Sequence, residues 1–318
     1  MKAIRVHQFG GPEVMQLKNV PDPDPGPGQV LIHTRAVGVN PVETYFRAGM
    51  NPNLPLPYTP GTDAAGEVAS IGLGVRTKVG ARVYTSGSVT GAYANMMVCD
   101  AADAHPLPDK ISFAEGAAVN IPCATAYRAL FHRARGLPGE TVLIHGASGG
   151  VGTAAIQLAR AAGLTIIGTV GSEKGHQLAR ELGAHHVLNH RTPGYLEDVM
   201  KITEGRGANI ILEMLANVNL GHDLGILARD GRVIVIGNRG KVEIDPRHLM
   251  MRDADIRGMM VSNASPVSKA SIHAALGAAL ENETLKPVIG RELPLAEATK
   301  AHELIMEPGA HGKIILIP

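Results

Sequence analysis

The sequence predicts an α/β chain of two domains: a β-rich N-terminal domain, then a doubly wound parallel sheet with helices on both faces. Three observations carry that expectation. The first 120 residues read as short β-rich runs divided by turn signals. From Glu140 onward, near-continuous apolar runs alternate with helical stretches. The length, 318 residues, exceeds what a single core usually serves.

The runs justify themselves in order. "KAIRVHQF", "QVLIHTRAVGV", "DAAGEVASIG" and "ARVYTSG" are strand-like, and "PDPDPGPGQ" is a loop whose prolines and glycines exclude a helix. Strands this closely spaced, with no long helix between them, suggest a small barrel-like β domain. At "SFAEGAAVNIPCATAYRALFHRARG" the apolar period becomes helical, and Pro122 is expected to break that stretch into two helices. The strands "TVLIHG", "LTIIGTV", "HHVLNH", "NIILEML" and "RVIVIG" then follow, with "GVGTAAIQLARAAG" and "GSEKGHQLARELG" as helices between them. Apolar strands of this kind belong to a parallel sheet covered on both faces. The tail holds one amphipathic helix and a final strand.

Composition narrows the function classes. With 45% hydrophobic residues the chain can bury sizeable cores and is not a disorder candidate. Thirty Lys and Arg against 29 Asp and Glu leave a formal charge of +1, and aromatics are 3%, so neither a basic groove nor stacking platforms favour nucleic acid as the main partner. Two cysteines, Cys99 and Cys123, make neither a disulfide framework nor a C-x-x-C pair. No apolar run reaches the 18 or so residues of a membrane span. "MKAIRVHQFGG" lacks the marks of a targeting segment, so the expected location is the cytoplasm.

"IHGASGGVGTAAIQLARAAG" raises the sharpest functional question. It follows a strand and opens a helix, the context a dinucleotide fingerprint requires. Read as Ala147-x-Gly149-x-x-Gly152, it is a G-x-G-x-x-G turn with alanine in first place. Gly149 would let the backbone approach a pyrophosphate, and Gly152 would let helix and strand pack closely. A tight strand-to-helix turn in another doubly wound protein is the bland alternative. The next strand ends in "TVGSEKG", where NAD enzymes usually present an acid to the ribose 2′-hydroxyl about 20 residues on. Val170 stands there instead, followed by Gly171 and Ser172. A 2′-phosphate is therefore acceptable, with Ser172 and Lys174 as donors, and NADPH is favoured over NADH. Glu173 is the neighbour that argues against it.

"GGPEV", "GVNPVETYFRAG", "PYTPGTDAAG", "TAYRAL", "HGASGGVG", "EMLANVNL", "GRVIVIGNRG" and "LKPVIG" occur in order along nearly the whole chain. With them the sequence resembles the medium-chain dehydrogenase/reductase superfamily, and within it the quinone oxidoreductases of the ζ-crystallin type. The resemblance implies a GroES-like catalytic domain over residues 1–122, completed by 264–318, and a Rossmann domain over 123–263. It places Ser148, Gly149, Gly150 and Val151 at the pyrophosphate, Gly171 by the adenosine ribose and His190 on the 2′-phosphate side. Asn219 and the run Ile236, Gly237, Asn238 and Arg239 would line the cofactor path. Tyr45 would reach the nicotinamide region from the other domain, with Asn40 beside it. On composition alone, Tyr45 could be a packing residue, Asn217 and Asn219 turn residues, and Arg239 one half of a surface ion pair.

The alcohol dehydrogenase branch of the superfamily carries a catalytic zinc. Where its sulfur and imidazole ligands would be expected, this sequence has Asn40 and Asp63, and two cysteines cannot supply a four-cysteine lobe. No zinc-ligand signature is recognised, so no metal is expected. Without a Lewis acid to polarise an alcohol, an acceptor needing little such help fits better, and the resemblance implies a quinone. The expected activity is zinc-independent NADPH:quinone reduction of ortho-quinones, with Tyr45 and Asn40 contacting the acceptor. The alternatives are an enone or 2-alkenal reductase and, in another class, a ζ-crystallin-like RNA-binding or structural role. The resemblance also implies a homodimer or homotetramer paired through the sheet edge near "DADIRGMMVSN".

Overall fold

The computed structural model describes residues 1–309 and 311–318. At the N-terminus β1 (Lys2–Val6) and β2 (Met15–Asn19) form an antiparallel hairpin. The run "QVLIHTRAVGV" is one strand from end to end, β3 (Gln29–Val39), and it organises the first sheet. It pairs antiparallel with β4 (Ala64–Ile71) and β6 (Met96–Asp100). β5 (Arg82–Thr85) and β7 (Ala104–Pro106) extend the sheet beyond β4. Val30, Ile32, Val37 and Val39 of β3 pack with Tyr93, Met97 and Leu316 into one core, as branched residues on a pleated strand do.

The parallel sheet consists of β8 (Thr141–Ile144), β9 (Thr165–Val170), β10 (His186–Asn189), β11 (Ala208–Glu213), β12 (Leu227–Val235) and β13 (Asp255–Gly258). Their order is β10-β9-β8-β11-β12-β13, so the direction of winding reverses between β8 and β11. In such sheets the crevice beyond the strand ends at that reversal is where ligands sit. The strands are apolar on both faces, with Leu143, Ile144, Ile166, Ile167, Ile210 and Ile211 all buried. Helix Gly150–Ala161 covers one face, burying everything from Gly152 to Ala159.

The chain then leaves this sheet through the 16-residue helix Pro266–Glu281, capped by Ser265, and adds β14 (Ile289–Pro294) and β15 (Lys313–Ile317) to the first sheet. β15 pairs with β3, and β14 lies at the edge. A single cluster joins Ala36, Ala65, Tyr84 and Ile315 of the first sheet to Ile144 and Leu212 of the second, so the two sheets share a core. Pro122 does not break the preceding helical segment as expected. It sits inside a wide π-helical turn, Asn120–Ala124, and the chain continues through Thr125–Tyr127 into a second such turn. A π turn relieves the clash of the proline ring with the turn before it. Cys99 and Cys123 are both buried, which pushes each thiol up to about 12. Among the described residues no helix is long and apolar enough to cross a membrane.

Candidate cofactor and acceptor site

The glycine turn lies at the end of β8, at the reversal point. Gly152 is where helix and strand touch: a Cβ there would stand 2.3 Å from the Gly146 carbonyl oxygen and 2.6 Å from the Ala147 Cα. Ala147 is buried, and its N–H donates to the Thr169 carbonyl at 2.9 Å, which fixes the turn against β9. Gly149 is the N-cap of helix Gly150–Ala161 with no side-chain cap, and Val151 follows half-buried. The first turn therefore offers backbone N–H groups and the positive end of a helix dipole to an anion. The Ser148 carbonyl accepts from the Gly312 N–H at 2.8 Å. That bond ties the turn to the segment entering β15. Ser148 Oγ also lies 3.0 Å from where a Cβ on Gly175 would stand, so two glycine-bearing turns meet.

At the end of β9, Val170 is buried and carries no acid into the crevice. Ser172 caps the next helix, accepting from the Gly175 N–H at 3.1 Å, and its hydroxyl hydrogen remains a donor. A Cβ on Gly171 would meet His190 Nε2 at 2.8 Å and Arg191 Nε at 3.3 Å, so the imidazole and the guanidinium close around this backbone. Partial burial, with Arg191 beside it, lowers the His190 imidazole. His311 lies next to Lys174, which together with burial lowers its imidazole, and its Nδ1 is buried without a partner. The sequence pointed to Ser172, Lys174 and His190. Arg191 and His311 escaped it, because an Arg next to a chosen His and a His in a Gly-rich tail carry no local signal.

Across the reversal, Asn219 Nδ2 donates to Glu213 Oε1 at 3.2 Å, and Asn217 Oδ1 accepts from the Arg239 N–H at 2.9 Å. These two asparagines do not merely bond their own turn: they join β11 to the loop after β12. In that loop Ile236 and Gly237 are half-buried and Asn238 and Arg239 are exposed. A Cβ on Gly237 would strike the Met214 carbonyl oxygen at 2.2 Å. Arg239 pairs with no carboxylate among the described residues; its Nη2 points at Met306 Sδ, 3.9 Å away, and Thr44 Oγ1 meets the same sulfur at 3.5 Å. Helix Pro41–Arg47, which carries half-buried Tyr45, therefore faces the 236–239 loop across Met306.

Asn40, expected to contact the acceptor, has its amide occupied by other side chains. It is 2% exposed, and its amide is fully engaged. Its two N–H bonds go to Asp63 Oδ2 (2.9 Å) and Glu43 Oε1 (3.2 Å), and its oxygen accepts from Lys313 Nζ. No amide donor is left for an acceptor molecule. Asp63 also takes the Asn120 amide at 2.9 Å and Lys313 Nζ at 3.3 Å. A lysine ammonium thus stands between the two positions that would carry metal ligands in the zinc branch. Below them, Tyr93 donates to Glu43 Oε2 at 2.6 Å and meets His302 Nε2 at 3.0 Å; His302 Nδ1 faces Arg47 Nη1, also at 3.0 Å. The guanidinium can only donate, so His302 is neutral with its proton on Nε2. Burial pushes Glu43 up to about 7, against the pull of Tyr93 and Lys313.

One cluster with metal-ligand chemistry does exist among the described residues: His145, Glu213 and Asp223. It had no signature in the sequence, because its members come from three separate elements. His145 Nε2 is 2.8 Å from Asp223 Oδ1 and 3.5 Å from Glu213 Oε2, and all three residues are buried. Burial would lower the His145 imidazole, but Asp223 and Glu213 raise it. Burial, reinforced by Asp223 and opposed by His145, pushes Glu213 up to about 7.

An uncapped helix start, a glycine cradle and a cationic pocket in place of an acid clamp define a dinucleotide enzyme with a medium-chain dehydrogenase/reductase architecture. Family models agree: residues 26–109 match the alcohol dehydrogenase GroES-like domain, and residues 150–276 match the zinc-binding dehydrogenase domain. The human protein named quinone oxidoreductase is 47% identical over all of this chain and 98% of its own length. The Escherichia coli quinone oxidoreductase 1 is 31% identical over 99% of both chains. A crystal structure of Escherichia coli quinone oxidoreductase complexed with NADPH superposes with a TM-score of 0.92, at 30% identity over the whole of each chain. The chain belongs to the quinone oxidoreductase family of that superfamily.

Proposed function

We propose that this protein is an NADPH-dependent quinone oxidoreductase that works without zinc. The observation that carries the reading is the end of β9: Val170 in place of an acid, His190 and Arg191 around Gly171, and Ser172 and Lys174 at the start of the helix that follows. This donor set fits a 2′-phosphate, and the end-to-end likeness to quinone oxidoreductases supplies the acceptor class. NADPH, when bound, supplies a hydride from its nicotinamide ring. The chain's own work is placement. Ser148, Gly149, Gly150 and Val151 with the helix start hold the pyrophosphate, and the orphaned Nδ1 of His311 gains a partner there. Asn219 and Ile236 to Arg239 flank the path toward Tyr45, whose hydroxyl orients an ortho-quinone. Exclusion of water and alignment of the two reactants provide the rate enhancement.

The absence of zinc rests on residue chemistry. A catalytic zinc needs about three ligands, and of Asn40, Asp63 and Lys313 only the carboxylate is a good one. We assign residues 123–263 to the cofactor domain, and 1–122 with 264–318 to the catalytic domain. A homodimer through β13 is supported by that strand's edge position and by Met250, Met251 and Met260, each at least 60% exposed. A cytoplasmic location completes the reading. The test is NADPH oxidation by an ortho-quinone, with chelator present and NADH as the control. Turnover that prefers NADPH and ignores chelator is expected. Faster turnover of an α,β-unsaturated carbonyl would replace the quinone reading with the enone one.

A further inference from the structure

We infer that His145, Asp223 and Glu213 form a clasp in which the two carboxyl groups share one proton, and that this clasp positions the 213–219 turn for cofactor binding. The inference rests on the NADPH reading above. Its geometry is that of a closed set. His145 directly follows β8 and Glu213 ends β11, the two strands between which the sheet reverses, and Asp223 closes helix Ala216–Asp223. Asp223 Oδ1 is taken by His145 Nε2 at 2.8 Å. Glu213 Oε1 is taken by the Leu215 N–H and by Asn219 Nδ2. That leaves Glu213 Oε2 and Asp223 Oδ2, both buried and without a donor. The two carboxyl groups belong to one cluster whose ligating atoms lie within 4.8 Å of one another, and Asp223 is among the groups that raise Glu213. Two acceptors cannot bond to each other, so a proton between them is the simplest way to satisfy both atoms.

A divalent cation would satisfy the same oxygens. However, ligand atoms on a tetrahedral ion at about 2.1 Å stand roughly 3.4 Å apart. The 2.8 Å between His145 and Asp223 is a hydrogen-bond length. The other groups facing the clasp are Thr169, whose Oγ1 is 3.2 Å from His145 Nδ1, Tyr195, His190 and Asn219. Losing the proton would place a second negative charge under the crevice that takes an anionic cofactor, and would loosen the acid that holds Asn219.

The experiment measures NADPH affinity between pH 5 and 9 for the wild type, Glu213→Gln and Glu213→Ala. It is joined to infrared spectra of wild-type protein with isotope-labelled glutamate carboxyls. Glu213→Gln keeps a donor toward Asp223. It should bind NADPH like the low-pH wild type and lose about tenfold of the wild type's weakening toward alkaline pH. Glu213→Ala should weaken NADPH at every pH by tenfold or more. A buried protonated-carboxyl band should be present at neutral pH and persist in Glu43→Gln, which removes the other buried glutamate raised to about 7, so it tests the clasp even if the Glu213 variants fail to fold. An unchanged pH dependence in Glu213→Gln, absence of that band, or a stoichiometric divalent metal lost on substituting any of the three would overturn the inference. If wild-type protein showed the band yet bound no NADPH at any pH, the clasp would stand as a structural feature and the cofactor reading would fall.

Discussion

Replacing Lys313 by Met removes the ammonium that stands between Asn40 and Asp63 while keeping most of the stem. The ammonium is buried against Asp63, with side-chain exposures of 5% and 0% and an N–O separation of 3.3 Å. Breaking a buried pair by removing one partner costs about 3–5 kcal/mol, because the other charge stays behind uncompensated. Asp63 would retain the Asn40 and Asn120 amides at 2.9 Å and the Ile121 N–H at 3.3 Å. Those donors put Lys313→Met near the lower end, about 3 kcal/mol. Asp63→Asn leaves the ammonium buried without its carboxylate partner, so its cost should lie near the upper end, about 5 kcal/mol. At about 2–4 °C per kcal/mol, the lysine variant should melt roughly 6–12 °C below wild type. The assay is calorimetry of both single variants and the double variant. The double variant should recover well over about 1 kcal/mol relative to the sum, since neither charge is then orphaned. A loss below about 1 kcal/mol for Lys313→Met, or strict additivity, would refute the buried-pair argument and with it the view that an ammonium fills the metal position.

Gly152→Ala should abolish NADPH binding and cost about 3 kcal/mol or more, since its methyl would lie 2.3 Å from the Gly146 oxygen; fluorescence titration with denaturant melts would show it. Lys174→Met should raise the NADPH KM about 10- to 100-fold with the NADH KM unmoved, the scale of one charge-assisted hydrogen bond; equal effects on both cofactors would remove Lys174 from the 2′-phosphate pocket. For Glu43, burial raises the folded pKa from 4.5 to about 7, so its contribution is fully present below pH 4.5 and is lost as pH rises through 7. The loss is about 3 kcal/mol, and denaturation midpoints of Glu43→Gln should lack that fall.

The parts of the fold that rest on local pattern were legible. The 29–39 run is one strand, the glycine turn lies between strand and helix, and the strand ending at Val170 ends there. What escaped the sequence is what depends on distant partners. Nothing in "GKIILIP" says that Lys313 is buried against Asn40 and Asp63, because strand alternation gives the face and not which side is core. Asn40 looks like an exposed donor until Glu43, Asp63 and Lys313 are brought around it. His145 and Asp223 are 78 residues apart, a spacing that no ligand pattern scans for. Pro122 misled because proline is read as a helix stop, and a π turn admits it.

The two cysteines acquire a meaning beside this chemistry. Quinones are electrophiles as well as oxidants, and the thiolate is the form of cysteine that attacks them. Cys99 and Cys123 are 0% and 2% exposed, and burial pushes both thiols up to about 12, so at neutral pH almost no thiolate meets the acceptor. An enzyme that spends its life next to arylating molecules thus offers them no reactive thiol.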